Sequence, residues 1–300
     1  REPMLLALDW GTTSFRAYLF DNERKTIDSI EASDGIMQCE DEFEDVYYAQ
    51  VGHWLKQYKG IPVIASGMIT SKQGWIETPY LPCPASLDDL SKSLTSHMTT
   101  NGDTIHFVSG VCQKTPTPNI MRGEETQMAG LNNIRAQTAI LPGTHSKWIR
   151  MEGDTISYFT TFMTGEIFAA LTEHTILGRL LTHGSDLDSF AEGVRDGFTG
   201  EQGEGGILSK LFGARAMPLL GLMNPDGIRD YISGLLLGTE IQEAINSGFG
   251  QDVTPLICGS VELVERYKTA LELCEIKNKL AKPELAASGL MRIASAANLV

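Results

Sequence analysis

The chain has 300 residues, more than a typical single domain, and is 42% hydrophobic and 21% charged, a globular composition with ample material for a core. Its 24 Lys and Arg against 38 Asp and Glu leave a net charge of −14, which argues against a nucleic-acid grip or an anionic membrane surface. Any phosphate group would have to be held by backbone amides, hydroxyls, a divalent cation and a few placed cations.

In chain order, Leu5 to Leu8 is a continuous apolar run, as expected of a strand buried on both faces. It leads into Asp9-Trp10-Gly11-Thr12-Thr13-Ser14, and Phe15 to Phe20 then reads as a returning strand closed by turn chemistry at Asp21-Asn22. Ile61 to Ser66 and Thr104 to Ser109 read as further strands, while Asp88 to Thr99 and Glu124 to Leu131 have helical spacing. The opening device then returns. Ala139-Ile140-Leu141 is apolar, Pro142-Gly143-Thr144-His145-Ser146 is a turn, and Lys147 to Met151 alternates as the returning strand. Beyond the turn at Gly153-Asp154, Thr155 to Thr161 reads as a third strand. Aligning the turns sets Gly143 on Gly11, Thr144 on Thr12 and Ser146 on Ser14, the pattern of an internal duplication. Two α/β domains facing each other are expected, 1–134 and 135–300, with a last helix free to pack back on the first. The second half is mostly helical, with Glu166 to Leu181 and Asp226 to Ile245 joined by the glycine-rich stretch Gly197 to Gly206. A short buried strand, Thr254 to Cys258, leads through Gly259-Ser260 into a helix from Val261 to Leu273, with Ser260 placed to cap it.

Both turns suit phosphate. Gly11 lets the backbone approach a ligand, and Thr12, Thr13 and Ser14 present amide and hydroxyl donors. Asp9, at a strand end, can hold Mg²⁺ directly or through water. An ordinary hairpin favours the same residue types. It is the repetition, with Gly143, Thr144 and Ser146 plus the cation of Lys147, that points to a polyphosphate clamped between two loops. Gly259 would let a flat adenine or ribose lie against the backbone beside Ser260, although a helix packing on a strand also needs a small residue there. Phosphoryl transfer needs a base for the acceptor hydroxyl. Glu124 and Glu125 at a helix start are candidates, with His145 as a rival, although acids in a first turn also suit the helix dipole. Arg122 beside them could restrain their pKa or hold an anionic substrate.

Other chemistries are disfavoured. The stretch from Gly200 to Gly206 carries acids that would repel phosphate and no GK[ST] follows, so it reads as a lid or connector and not a P-loop. The cysteines (Cys39, Cys83, Cys112, Cys258, Cys274) are scattered and odd in number, which suggests free thiols in a reducing compartment. The histidines form no HxxxH or HExxH pattern, so a zinc site is not expected. No apolar run approaches the ~18 residues that span a bilayer, and no signal peptide is visible. Arg1-Glu2-Pro3 reads as a cloning scar or trimmed terminus before Met4, and a cytoplasmic protein is expected.

These residues resemble the sugar-kinase branch of the actin, hexokinase and heat-shock-chaperone superfamily. Leu8 to Arg16 looks like its first phosphate motif, Leu141 to Trp148 like the second, and Ile257-Cys258-Gly259-Ser260 like the adenosine motif. Gly123-Glu124-Glu125 sits where glycerol kinase-like enzymes carry Gly-Asp-Gln, which implies Glu124 as the base, with Glu125 one register away. Within that branch the chain is similar to the 2-dehydro-3-deoxygalactonokinase family over nearly its whole length. The similarity rests on Ser66-Gly67-Met68, Gln73-Gly74-Trp75, Pro79-Tyr80, Cys83-Pro84-Ala85, Met121 to Gln127, Leu141 to Trp148 and Met163 to Glu166.

The resemblance implies an α/β fold of two ribonuclease H-like (actin/hexokinase-type) domains with a central cleft. It implies ATP and Mg²⁺ as cofactors and phosphorylation of the terminal primary hydroxyl of 2-dehydro-3-deoxy-D-galactonate. The phosphates would then lie between the turns at Gly11–Ser14 and Gly143–Lys147, the adenine near Gly259-Ser260, and the metal on Asp9. Arg16 or Lys147 would neutralise the transferring group, Arg16, Lys72, Trp75 and Arg122 would face the substrate, and Lys72 and Arg122 are candidates for its carboxylate. Lys72 stands where the family pattern leads one to expect Arg, a point charge in place of a bidentate fork. The expected partner is a small-molecule sugar acid, with a homodimer admissible and neither nucleic acid nor membrane. The alternatives are a kinase of another sugar acid such as 2-keto-3-deoxygluconate, and a sugar-sensing ATP-binding regulator. A regulator would need a basic helix-turn-helix, which the acidic N-terminal part lacks.

Overall fold

The computed structural model describes residues 2–131, 137–198, 205–250 and 254–300. The expected domain boundary at 134/135, and residues 199–204 of the glycine-rich stretch, lie outside the described residues. Two compact units make up the chain. The first comprises Arg1–Ala136, Met151–Tyr158 and Glu284–Val300, and the second Gln137–Arg150 and Phe159–Pro283.

The first unit is built on a six-stranded sheet in the order Thr26–Ala32, Phe15–Asp21, Pro3–Trp10, Val63–Ser66, Thr104–Phe107, Thr95–Met98. The opening three strands form an antiparallel meander, and Pro3–Trp10, Val63–Ser66 and Thr104–Phe107 run parallel. The apolar run Leu5 to Leu8 is buried throughout. Leu6, Leu8 and Trp10 pack with Phe43, Tyr47, Val51 and Trp54, whose spacing lines one side of the helix Phe43–Gln57. Complete burial of such side chains stabilises by roughly 1.5–3 kcal/mol each. The helix Leu285–Ala296 also packs on the strand Pro3–Trp10 and on the short helix Glu124–Ala129. Asp21 makes the expected turn, its Oδ1 accepting the N–H groups of Glu23 at 2.9 Å and Lys25 at 3.0 Å.

One expectation fails in this unit. Asp88 to Thr99 is not one helix but a helix Leu87–Lys92 followed by the strand Thr95–Met98. The helix is fixed at its start by Ser86, whose Oγ accepts the Asp89 N–H at 3.1 Å while the Asp89 carboxylate accepts the Ser86 N–H at 2.9 Å. Thr95 then pairs with Phe107 at the sheet edge, so ladder pairing overrides a helical spacing of apolar residues.

In the second unit the strands Lys279–Leu280, Leu256–Ile257 and Gln137–Leu141, residues 146–150 of the strand Ser146–Glu152 and residues 159–162 of the strand Thr155–Phe162 follow one another in that order in a sheet. Helices Thr164–His174, Leu187–Phe198, Ile207–Leu219, Ile228–Asn246 and Val261–Leu273 complete it. The long segment expected from Glu166 breaks at Thr175, which is extended and receives the Leu177 N–H on its hydroxyl, opening the 3₁₀ turn Ile176–Leu180. Leu187–Phe198 crosses Ile228–Asn246 so closely that a Cβ on Gly193 would stand 2.2 Å from the Tyr231 carbonyl oxygen.

Candidate active site

In the first unit the strand Pro3–Trp10 ends in Asp9, whose register partners are Arg16 on one side and Ser66 on the other. The following turn is closed by the Gly11 N–H donating to the Ser14 carbonyl at 2.9 Å. It is braced from outside. Ile36 N–H donates to Gly11 O at 2.9 Å and Met37 N–H to Thr12 O at 3.1 Å. Gly35 lies so close beneath that a Cβ there would meet Thr12 O at 2.4 Å. With the carbonyls engaged, Thr12 and Thr13 are exposed, and their amides make no hydrogen bond among the described residues. The Asp9 carboxylate is half-buried and also makes none; burial raises its pKa, and the Arg16 charge partly offsets that. Arg16 itself is exposed and pairs with Glu31 at 3.3 Å.

The two acids stand close to this strand end. Gly67, just after Ser66, has φ +100, and a Cβ on it would be 2.6 Å from Trp10 O. Gly123, with φ +110, begins the acid-bearing helix, and a Cβ on it would be 3.5 Å from Gly67 Cα. Such backbones suit glycine alone, and they stack the ends of two parallel strands against the start of Glu124–Ala129. Glu124 is half-buried, its Oε2 accepting the Arg122 N–H at 3.1 Å. Glu125 is fully buried; Oε2 accepts the Gly123 N–H at 2.6 Å and Oε1 has no partner. Burial, and next the charge of Glu124, push its pKa up to about 8.

Arg122 is buried and its guanidinium is taken up by the protein. Nη1 donates to Thr70 O at 2.6 Å, to Thr70 Oγ1 at 2.7 Å and to Thr78 Oγ1, and Nη2 donates to Thr78 O at 2.7 Å. Its plane lies 4.4 Å from the centre of the Tyr80 ring. This fork holds the segment 70–78. Within it Lys72 is exposed, whereas Trp75 packs edge-on against Trp10, His97 and Phe107 at centroid distances of 6.2, 5.5 and 5.9 Å.

In the second unit the turn Pro142–His145 leaves Thr144 and His145 exposed, with amides that make no hydrogen bond among the described residues. Gly143 is half-buried. The Glu166 N–H donates to Thr144 O at 3.0 Å, and a short hydrogen bond joins the Glu166 carboxylate to His145 Nε2. Ser146 and Lys147 turn inward. Ser146 Oγ donates to Glu240 Oε1 at 2.6 Å, so its proton is not free for a phosphate, and Lys147 Nζ donates to Thr161 Oγ1 at 2.9 Å. Gly259 and Ser260 are exposed, with the Cβ position of Gly259 3.7 Å from Pro142 Cδ. Ser260 occupies the N-cap of Val261–Leu273, yet its side chain makes no capping bond.

Sequence reasoning assigns no role to Ser66, whose buried Oγ lacks a partner, or to Glu240. An acid on the helix face shared by Leu236, Leu237, Ile241 and Ala244, all buried, is the signal that could have found the latter. The described residues contain no cluster of three or more His, Cys, Asp or Glu side chains suited to a metal, and no helix among them is long and apolar enough to cross a membrane.

A meander continuing into parallel strands in the first unit, and the same turn opening the second, define a two-domain α/β protein of the actin–hexokinase type. The activator of the 2-hydroxyisocaproyl-CoA dehydratase from Clostridium difficile, solved with bound ADPNP, shares this fold at TM-score 0.51 and 12% identity, covering 99% of this chain and 96% of that one. More particularly, the chain belongs to the 2-keto-3-deoxy-galactonokinase family, whose model matches residues 9–293. It is 31% identical over 270 residues to the 2-dehydro-3-deoxygalactonokinase of Escherichia coli (strain K12), covering 89% of each. A crystal structure from Sinorhizobium meliloti, which carries the same enzyme name provisionally, superposes at TM-score 0.84 with 29% identity, covering 97% of this chain and 96% of that one.

Proposed function

We propose that the chain transfers the γ-phosphoryl group of ATP to the terminal primary hydroxyl of 2-dehydro-3-deoxy-D-galactonate, giving ADP and 2-dehydro-3-deoxy-6-phospho-D-galactonate. The observation that carries this is the family match over residues 9–293, which includes a relative of that name at 31% identity. In the transfer the acceptor oxygen bonds to the γ-phosphorus while the bond to the bridging oxygen of ADP breaks, and the hydroxyl proton must leave. Glu124 is our choice to take it, because a half-buried carboxylate at a helix start is open to a substrate. Glu125 is enclosed and, with a pKa of about 8, keeps its proton near neutral pH, so it does not add a second negative charge beside the first.

The free amides and hydroxyls of Thr12 and Thr13 in the first unit, and of Thr144 in the second, are suited to phosphate oxygens, and exposed Gly259-Ser260 to adenosine. Asp9, half-buried and without a hydrogen bond among the described residues, would be the residue to hold a divalent cation. Magnesium bound there would offset charge on the β- and γ-phosphates. Of the two cations considered for the transferring group, Arg16 is exposed and Lys147 buried, which favours Arg16. Lys72 is proposed for the substrate carboxylate, with Arg122 acting by holding the segment that carries it. The free thiols are in keeping with a cytoplasmic enzyme.

A coupled ADP-release assay with ATP and Mg²⁺ on this sugar acid, its gluconate epimer, galactonate and glycerol tests the proposal. Turnover confined to the first is expected. Turnover only on another acid overturns the substrate, and no turnover on any overturns the kinase.

A further inference from the structure

Glu240 lies in the helix Ile228–Asn246 and is only 2% exposed. Four uncharged donors converge on its carboxylate. Ser146 Oγ, Thr164 Oγ1 and Tyr267 OH reach Oε1, the first at 2.6 Å and the last at 2.9 Å, and Trp148 Nε1 reaches Oε2 at 2.9 Å. Burial raises its pKa while these bonds lower it. A buried carboxylate is an expensive way to fill space, since an apolar side chain would pack without desolvating a charge.

What distinguishes this cluster is where its donors come from. Ser146 is the first residue after the turn Pro142–His145. Thr164 opens the helix Thr164–His174, whose next two residues support that turn: a Cβ on Gly165 would meet Gly143 O at 2.7 Å, and the Glu166 N–H donates to Thr144 O. Tyr267 belongs to the helix Val261–Leu273, which follows Gly259-Ser260 beside Pro142. One carboxylate thus ties together the elements that carry both turns of this unit.

We propose that Glu240 is a positioning residue for the adenine nucleotide: through Ser146, Thr164 and Tyr267 it fixes the turns Pro142–His145 and Gly259-Ser260 with respect to each other, and nucleotide affinity depends on it. This deepens the kinase reading and rests on it, because it takes those turns to be where ATP is held.

The test uses the full chain and three variants, E240Q, T164V and Y267F. Each is measured for ADP affinity by equilibrium titration, for melting temperature, and for KM of ATP and of the sugar acid. Trp148 can only donate through its ring nitrogen, so a Gln at 240 either gives its oxygen to Trp148 and turns its NH₂ on the three hydroxyls, or keeps its oxygen for the hydroxyls and sets two donors, its NH₂ and the Trp148 N–H, against each other. Folded E240Q is expected to bind ADP about tenfold more weakly, and T164V and Y267F about two- to fivefold, with KM for the sugar acid within about twofold of wild type. Lower melting temperatures with unchanged ADP affinity and unchanged KM for ATP would overturn the proposal, as would equal rises in both KM values. Should E240Q fail to fold, the two milder variants decide. A wild type that binds ADP but turns over no sugar acid would sink the kinase reading alone, since the titrations still decide on Glu240.

Discussion

Replacing Glu125 by Gln separates the charge of the acid-bearing helix from its packing. The side chain is fully enclosed, Oε2 is held by the Gly123 N–H, and Oε1 has no partner. Burial and the neighbouring Glu124 charge move the pKa from an ordinary 4.5 to about 8. In the unfolded chain the carboxyl loses its proton near 4.5, and in the folded protein it holds it to about 8. Between those values the folded state binds more protons, so this group's contribution to stability is complete below 4.5 and is lost as pH rises to about 8. At about 1.4 kcal/mol per pKa unit, the whole window is worth on the order of 3–5 kcal/mol. Gln resembles the protonated acid and carries no such linkage. Denaturant unfolding at fixed ionic strength, from pH 5 to 9, should therefore find E125Q close to wild type at pH 5 and progressively more stable relative to it towards pH 8. The gap should widen by about 1 kcal/mol per pH unit. A difference between the two proteins that does not vary over this range would refute the reasoning.

The other predictions concern single contacts. D9N should melt at or above the wild-type temperature, because it removes a half-buried charge without a hydrogen bond, while turnover falls about 100-fold or more; turnover within threefold of wild type would remove Asp9 from the metal role. R122A should cost about 2–4 kcal/mol of stability through the lost bonds to Thr70 and Thr78, and R122K should recover only part of it; an unchanged melting temperature would contradict the clamp. K72A should raise KM for the sugar acid about tenfold and leave KM for ATP alone, with K72R restoring it; equal KM values in K72A and wild type would exclude Lys72 from the carboxylate.

Where the sequence is explicit about the fold, one local constraint has no competitor. Leu5 to Leu8 is apolar without interruption, as expected of a strand covered on both faces, and Gly11 and Gly143 end their strands in tight polar turns. It is least explicit where two local preferences are close. Leu87, Leu90, Leu94 and Met98 have helical spacing, but the Ser86 capping box supports only the first of those turns, and Thr95 gains a ladder partner in Phe107. Phe43–Gln57, which the sequence reading does not single out, owes its place to a sheet face that only the folded meander creates.

The site divides in the same way. The two turns stand out in the sequence by their repetition, since an ordinary hairpin favours the same residue types. Their bracing is not legible, because it comes from outside the repeat. The first turn is held by backbone, with Gly11 and Thr12 carbonyls receiving Ile36 and Met37 amides. The second is held partly by a side chain, Glu240, which lies 94 positions from Ser146. Aligning Ser146 with Ser14 therefore matches position but not duty: the Ser146 hydroxyl proton is committed inward, while the Ser14 hydroxyl makes no such bond among the described residues. The repeat matches residue types at the two turns, and each half fixes its turn with whatever its own elements can reach. The second half thereby gains a buried carboxylate behind its turn, where the first half has backbone amides.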